Sequence, residues 1–342
     1  MTSINAIRFN SKAGAMVFDE VRGWNPMDMF IQSAQKMKPI VPEEITVHTG
    51  LAAGYGNTGT SAIGDELRFT IRKRIQQKWD QEIEKKGEKP KHLMTIEDIA
   101  NMTYEIICDL KHKHTNELLK GRYSFDTDEF IQGSYELNNE TIEIKDKKII
   151  ESAETAITWK NRGAIARPVF GNAGIVGGYD PVEGFRIFHL SVIDQICVPV
   201  QELFVADGSG RDQCELVFSD FAAQKSIPER MDNIDPIEGL FHALKAIVIS
   251  SRCNLGVGGY SNIILFDGNK EGAEKMEVIF DNRARLATEI LKAFLGNFIT
   301  YEKALNLVDK LRYKKVSWEK VHSELLKTAT DSNKLRLYLR GY

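Results

Sequence analysis

The residue with the most distinctive potential chemistry lies at the start of the chain. Thr2 follows Met1, and threonine is small enough for removal of the preceding methionine to be expected. A threonine hydroxyl alone is a poor nucleophile, but an N-terminal threonine has its own α-amine as a neighbouring base. With an ordinary pKa of about 7.7 to 8.0, part of that amine is neutral near pH 7 and can accept the hydroxyl proton. Thr2 is therefore a candidate N-terminal nucleophile, and if Met1 is retained it is an ordinary strand residue.

Other residues that often carry chemistry lack the spacing they would need. His112 and His114 are two residues apart in a helical segment, the wrong spacing for a shared metal. The four cysteines show no CxxC or CxxH pattern, and Cys253 beside Arg252 is better explained as a buried structural cysteine than as an activated thiol. No GxGxxG with a downstream acid follows a predicted strand. We therefore expect no metal and no cofactor.

Composition and charge limit the possible partners. The 342 residues are 42% hydrophobic, and 45 Lys and Arg against 48 Asp and Glu give a formal net charge of −3. Because the chain has no global basic field, we expect no nucleic-acid partner. No apolar run approaches the roughly 20 residues needed to span a bilayer, and Asn5 and Arg8 are polar where a signal peptide would be apolar. These features predict a cytoplasmic protein that does not bind membranes.

The elements that would position Thr2 begin with the first residues. Residues 2–9 and 14–18 alternate around a polar turn, which predicts a hairpin. Short strands are expected near residues 38–41 and 44–53, and the run from Gly54 to Gly59 is expected to break the regular structure. A helix is predicted over residues 60–84. Thr95 is expected to cap a second long helix, with Asp98 three residues later in a variant of the capping box.

In the rest of the chain, strands and helices occur in groups and do not alternate. The patterns predict a small insertion with a strand or hairpin at residues 141–145, then strands, a pair of helices, two more strands and a helical region over the last 60 residues. Clustered rather than alternating strands and helices favour antiparallel sheets covered by helix pairs over a parallel Rossmann sheet. We therefore predict an α+β fold, arranged as a four-layer αββα sandwich.

In their order and local motifs, these segments resemble the proteasome β-subunit family of N-terminal-nucleophile hydrolases. In that family a threonine opens the first strand, an aspartate ends the second, and a lysine precedes the next strand. Thr2, Asp19 and Lys38 stand in those places. The segment Ala52-Ala53-Gly54 resembles the family's Ala-Gly turn, which enters the first long helix and supplies an amide to the oxyanion hole.

Three later fragments extend the resemblance. Gly177-Gly-Tyr-Asp180, Gly208-Ser-Gly210 and Gly258-Gly259 resemble the family's Gly-Tyr-Asp, Gly-Ser-Gly and Gly-Gly motifs. The resemblance covers roughly residues 2–120 and 170–280. It implies a proteasome-like domain over residues 2–281 with an insertion at about 121–168, followed by a C-terminal helical extension over residues 282–342.

The resemblance also implies a role for each candidate site residue. Thr2 would be the nucleophile, and the Lys38 ammonium would lower the pKa of its hydroxyl and stabilise the alkoxide. Asp19 would hold that lysine charged through an ion pair. Gly54 would present its backbone amide to the tetrahedral oxyanion. Lys36 is the alternative register for the lysine, and both lysines could instead solvate the start of a strand.

Departures from the family pattern leave two functions open. Arg211 stands where active members have a serine, Cys253 or Asn254 where they have an aspartate, and Val257 near the place of a second serine. The first hypothesis is a threonine-type hydrolase, a peptidase or amide acyl-transfer enzyme that forms an acyl-enzyme on Thr2. Its substrate would be a peptide or protein, and the resemblance implies a homo-oligomeric ring. The alternative is a noncatalytic proteasome-like ring or scaffold protein.

Overall fold

The computed structural model describes residues 2–20, 22–25, 28–30, 36–59, 61–158, 172–192, 194–254 and 257–340. Within these ranges the chain is a mixed α+β protein with antiparallel sheets. The strands are β1 (Ser3–Asn10), β2 (Ala13–Phe18), β3 (Arg22–Asn25), β4 (Asp28–Phe30), β5 (Met37–Pro39), β6 (Ala52–Thr58), β7 (Ser134–Leu137), β8 (Glu140–Glu143), β9 (Ala173–Asp180), β10 (Gly184–Ser191), β11 (Ile196–Pro199), β12 (Phe204–Gly208), β13 (Asn262–Asp267) and β14 (Met276–Ile279).

The helices fall between and after these strands. They are α1 (Glu43–Thr49), α2 (Ser61–Lys86), α3 (Ile96–Tyr123), α4 (Thr127–Gln132), α5 (Lys147–Thr158), α6 (Arg211–Ala223), α7 (Ile227–Asp232), α8 (Pro236–Cys253), α9 (Asp281–Leu295), α10 (Tyr301–Leu311), α11 (Trp318–Thr328) and α12 (Ser332–Arg340), with short 3-10 segments at Gly272–Lys275 and Arg312–Lys314. In the described part of the chain, no helix is both long and apolar enough to cross a membrane.

Two five-stranded sheets form the centre of the molecule. The first has the strand order β12-β1-β2-β13-β14, and the second has the order β11-β10-β9-β6-β5. In the first sheet β1 lies between β2 and β12, with Ile4 opposite Phe18 on one side and Ser3 opposite Gly208 on the other. This pairing holds the start of the chain in the interior of a sheet.

An apolar layer lies between the two sheets. Ile4, Met16 and Phe18 of the first sheet pack in one buried cluster with Met37 and Ile175 of the second. The sheets approach closely where the second sheet carries glycines. A Cβ added at Gly177 would lie 2.9 Å from the Met16 sulfur, and one at Gly54 would lie 3.1 Å from Ile264 Cδ1. Small residues are required there because the facing side chains fill the space.

Helices pack against the other face of each sheet. Apolar residues of α2 and α3, including Leu67 and Ile99, share a buried cluster with Tyr55 of β6. The helix predicted over residues 60–84 is confirmed. The predicted Thr95 cap is also confirmed, since Asp98 N donates to Thr95 Oγ1 at 3.1 Å and Thr95 N donates to Asp98 Oδ2 at 2.9 Å.

Helices α6 and α8 contact the first sheet, and the C-terminal helices extend the same core. Phe218 of α6 and Phe241 of α8 share a buried cluster with Val17 of β2. Leu291 of α9 and Leu335 of α12 belong to that cluster as well. The last helices are therefore packed into the core beside α8.

The residues that follow α3, up to residue 158, pack around a small apolar cluster of their own. Phe125 and Ala153 are buried in a separate apolar cluster with Leu119 of α3. The strand or hairpin expected at residues 141–145 is a hairpin of β7 and β8, in which β8 covers Glu140–Glu143. Residues 159–168 of the predicted insertion lie outside the described residues.

Two local predictions around residue 50 are wrong. The strand expected over residues 44–53 is largely helix α1, which follows Pro42 and ends at Gly50 with φ of 75°. Pro42 suits a helix start, and the left-handed conformation of Gly50 suits its end. The run from Gly54 to Gly59, expected to break the regular structure, supplies most of strand β6. The glycines and alanines of β6 reflect the close approach of the two sheets.

Candidate active site

A buried ion pair lies at the end of β2. Lys36 Nζ is 2.6 Å from Asp19 Oδ1, and the two side chains are 7% and 0% exposed. The same Asp19 oxygen accepts a hydrogen bond from Ser3 N at 2.8 Å, and the other oxygen accepts one from Gly258 N at 3.1 Å. Because Ser3 N and Lys36 Nζ contact the same Asp19 oxygen, the ammonium lies beside the residue that follows Thr2.

The prediction that Lys38 pairs with Asp19 is wrong. Lys38 is exposed on β5, and its Cα lies opposite Tyr55 of β6. Lys36 precedes the strand, and its carbonyl oxygen accepts hydrogen bonds from Asn57 N at 3.2 Å and Arg68 NH1 at 3.1 Å. These bonds fix the backbone before β5, and the Lys36 side chain extends from there to Asp19 after β2. The register alternative is the one that the structure adopts.

Thr2 is buried and held by the segment that joins β12 to α6. Thr2 N donates to Ser209 Oγ at 3.2 Å, and Ser209 Oγ donates to Thr2 O at 3.2 Å. Gly210 N donates to the same carbonyl oxygen at 3.3 Å. Gly208 has φ of 91°, and a Cβ there would lie 2.3 Å from Thr2 O. Glycine is thus required at position 208 both for its backbone conformation and for the close approach of Thr2.

The C-terminal end of α8 also holds the segment that contacts Thr2. Asn254 Nδ2 donates to Ser209 O at 2.7 Å, which ties the segment that holds Thr2 to the end of the helix. Glu20 N donates to Gly258 O at 3.0 Å, and Tyr260 N donates to a carboxylate oxygen of Glu20 at 3.2 Å. The loop after α8 is therefore joined to the end of β2 by backbone and side-chain hydrogen bonds.

The protonation state of Asp19 follows from its surroundings. Burial raises the pKa of the Asp19 carboxyl above its usual value, while the Lys36 ammonium and the amides of Ser3 and Gly258 act in the opposite direction. These three partners are all hydrogen-bond donors, an arrangement that a carboxylate satisfies and a protonated acid does not. We therefore describe the pair as a carboxylate and an ammonium.

Gly54 does not occupy the turn that the sequence predicts. It lies within β6, opposite Gly177 of β9 on one side and Pro39 of β5 on the other. The segment between β6 and α2 begins instead at Gly59, whose φ is 103°. Thr58, just before it, is near Thr2, since a Cβ at Gly208 would be 3.2 Å from Thr58 Cγ2 and 2.3 Å from Thr2 O. Gly59 therefore takes the place before α2 that was predicted for Gly54.

The departures from the family pattern have specific structural settings. The Arg211 side chain pairs with Glu215 one turn later on α6, with 2.5 Å between Nε and Oε1. Val257 is buried, at 4% exposed. Cys253 is exposed at the end of α8, so the prediction that it is buried is wrong.

Sequence reasoning missed the role of one hydroxyl. The resemblance of Gly208-Ser-Gly210 to a family motif assigns no task to its serine, yet Ser209, just before α6, is the residue that contacts Thr2 N. The thiol nearest to this region is not a competing nucleophile. Cys214 Sγ lies 3.3 Å from Ser3 Oγ, and burial raises the pKa of that thiol to about 11. It is therefore protonated near neutral pH.

A functional proposal for this chain rests on the geometry of the site. No protein-family model matches the chain, and a search of curated proteins finds no match. Among the described residues, no group of three or more His, Cys, Asp or Glu side chains is placed to hold a metal ion.

Proposed function

We propose that this protein is a threonine-type N-terminal-nucleophile hydrolase that acts on an amide bond through an acyl-enzyme on Thr2. The proposal requires cleavage of the bond between Met1 and Thr2; Met1 lies outside the described residues. The observation that carries it is the convergence of two groups on Thr2. Ser209 Oγ lies 3.2 Å from Thr2 N, and the buried ion pair of Asp19 and Lys36 lies one residue away.

The proposal includes the fold. The two sheets enclose an apolar layer, and helices α2 and α3 contact one sheet while α6 and α8 contact the other. This arrangement supports the proposed four-layer αββα sandwich of N-terminal-nucleophile hydrolases. The start of β1 lies at the end of both sheets where β2 ends and α6 begins, which is where the nucleophile of such a fold is needed.

Each polar group near Thr2 has a chemical task in this proposal. Ser209 gives its own proton to Thr2 O, so its lone pairs face Thr2 N. Once Met1 is removed, the free amine would donate to Ser209 and keep its nitrogen lone pair for the Thr2 hydroxyl proton. The Lys36 ammonium, held by Asp19, would stabilise the negative charge that develops on the threonine oxygen.

The proposed reaction has two stages. The Thr2 oxygen attacks the carbonyl carbon of the amide, and its proton passes to the α-amine. The tetrahedral intermediate collapses, the carbon–nitrogen bond breaks, and the leaving amine takes that proton. The product is an ester on Thr2. Water then attacks the ester carbonyl carbon while the α-amine accepts a proton from it, and that proton passes to the Thr2 oxygen as the acid is released. We assign the Gly59 amide to the oxyanion in place of Gly54, and we propose a peptide or protein substrate and a homo-oligomeric ring.

The proposal is tested by mass spectrometry of the full-length protein with a β-lactone probe. Opening of the lactone by a hydroxyl adds the whole probe mass, so a single adduct is expected on a chain that has lost one methionine. Thr2→Ala should abolish the adduct, and Thr2→Ser should retain part of the labelling rate because it keeps both hydroxyl and amine. An equal adduct on Thr2→Ala would refute the assignment of the nucleophile.

The two lysines provide a matched pair for the same assay. Lys36→Met should slow labelling by about 100-fold or more, the usual effect of removing one electrostatic group from an oxyanion or alkoxide site. Lys38→Met should label at nearly the parent rate because its side chain is exposed on β5. A protein that retains Met1 and forms no adduct would instead favour the noncatalytic ring or scaffold.

A further inference from the structure

A small apolar pocket lies beside the buried ion pair. It has a volume of about 250 Å³, and its walls include Phe18 of β2, Met37 of β5, Val278 of β14 and Phe280. Phe18 directly precedes one member of the ion pair, and Met37 directly follows the other. The pocket therefore adjoins the ion pair at two points of the chain, through Phe18 next to Asp19 and through Met37 next to Lys36. The groups assigned to the chemistry do not line it.

Two cationic side chains line the same pocket. Lys38 reaches it from β5 and Arg72 from α2, and both are exposed. In the described part of the chain neither side chain forms an ion pair or a side-chain hydrogen bond, and no acidic residue is among those that line the pocket. Arg68, one turn before Arg72, differs because it pairs with Asp65. The pocket thus joins apolar walls to two cations for which the described residues provide no counter-ion.

We infer that this pocket binds a small amphipathic carboxylate. The apolar tail lies against Phe18, Met37 and Val278, and the carboxylate lies between the Lys38 ammonium and the Arg72 guanidinium. Arginine matches a carboxylate through two parallel N–H donors, and lysine adds a second positive charge. Pockets for drug-sized ligands usually have about 300 to 1,000 Å³, so a volume of about 250 Å³ fits a short tail rather than a long acyl chain. This inference does not depend on the proposed chemistry at Thr2.

Three probes of the same length test the charge requirement. Hexanoate, hexan-1-ol and hexylamine are titrated separately into the full-length protein at low salt, with binding followed by ligand-observed NMR. Two partly exposed cations should make hexanoate bind about five-fold or more tightly than hexan-1-ol, and hexylamine should bind most weakly. Added salt should weaken hexanoate binding and leave hexan-1-ol unchanged. Equal affinity for hexanoate and hexan-1-ol would overturn the inference.

Substitutions locate the two halves of the ligand. Lys38→Gln and Arg72→Gln should each weaken hexanoate binding about two- to five-fold without affecting hexan-1-ol, whereas Lys73→Gln should change neither. Lys73 is the matched control because it is an exposed cation next to Arg72 that does not line the pocket. Unchanged hexanoate affinity in both pocket variants would refute the placement of the carboxylate.

A filling substitution tests the placement of the tail. Val278→Trp should abolish binding of both hexanoate and hexan-1-ol although both cations remain. Val182→Trp is the control, since Val182 is 67% exposed on another surface and should leave binding intact. Circular dichroism confirms that each variant is folded before titration. Hexanoate binding of parent strength by folded Val278→Trp would show that the tail lies elsewhere.

Discussion

Replacing Lys36 with methionine is expected to destabilise the protein by about 3 to 5 kcal/mol, because the substitution leaves the Asp19 carboxylate buried without its counter-ion. The carboxylate is 0% exposed and the ammonium 7% exposed, so water cannot replace the missing partner. The amides of Ser3 and Gly258 remain as donors to Asp19, but they do not carry a full charge. A loss of this size is a large part of the 5 to 15 kcal/mol that is typical of whole domains.

A double-mutant cycle separates the ion pair from general packing effects. Asp19→Asn alone leaves a buried ammonium and should also cost about 3 to 5 kcal/mol. The double variant, Asp19→Asn with Lys36→Met, has neither buried charge, and we expect its loss to be smaller than the sum of the two single losses by about 2 kcal/mol or more. One cost should remain in the double variant, because an asparagine can accept from Ser3 N or from Gly258 N with its single oxygen but not from both.

Urea denaturation of each full-length variant, followed by circular dichroism and by tryptophan fluorescence, measures these free energies of unfolding. Lys38→Met is the matched control and should change stability by no more than about 0.5 kcal/mol, because the side chain is exposed and unpaired in the described residues. If Lys36→Met costs less than about 1 kcal/mol, or if the two substitutions are additive, the ion pair is not the interaction that holds this part of the protein.

Two further predictions concern a buried histidine and a glycine. His242 stacks on Phe221 with 4.0 Å between ring centroids, and burial lowers its pKa from 6.5 to about 4. The neutral form of His242 therefore supports the fold fully above about pH 6.5, and up to about 3 kcal/mol of folding free energy is lost as the pH falls to 4. Urea denaturation at a series of pH values should show that stability falls less steeply with acid in His242→Phe. An identical acid dependence in the two proteins would contradict this. Gly208→Ala should displace Thr2 and unfold at lower urea than Gly87→Ala, since both glycines have positive φ but only Gly208 has a backbone atom within 3 Å of an added Cβ. Equal urea midpoints would show that the contact with Thr2 O is not restrictive.

The sequence by itself determined the features that depend on neighbouring residues. The Thr95 capping box and the long amphipathic helices are set by side chains within a few positions of the backbone that they affect. The hairpin of β1 and β2 belongs to the same group, because its alternation and its polar turn lie within eighteen residues of the start of the chain. The two candidate lysines were identified by their resemblance to the family's lysine before the next strand, with Lys36 as the alternative register to Lys38.

Only the tertiary structure decided which distant groups meet. Lys36 and Lys38 differ by two positions, and a strand pattern places them on the same face. In the structure Lys36, which precedes β5, pairs with Asp19, whereas Lys38, within β5, is exposed. Gly54 reads locally as a turn, yet the facing side chains of the first sheet make it a strand residue. The contact between Ser209 and Thr2 joins residues 207 positions apart. Such contacts depend on how the strands of the first sheet are ordered, and no local pattern contains that information.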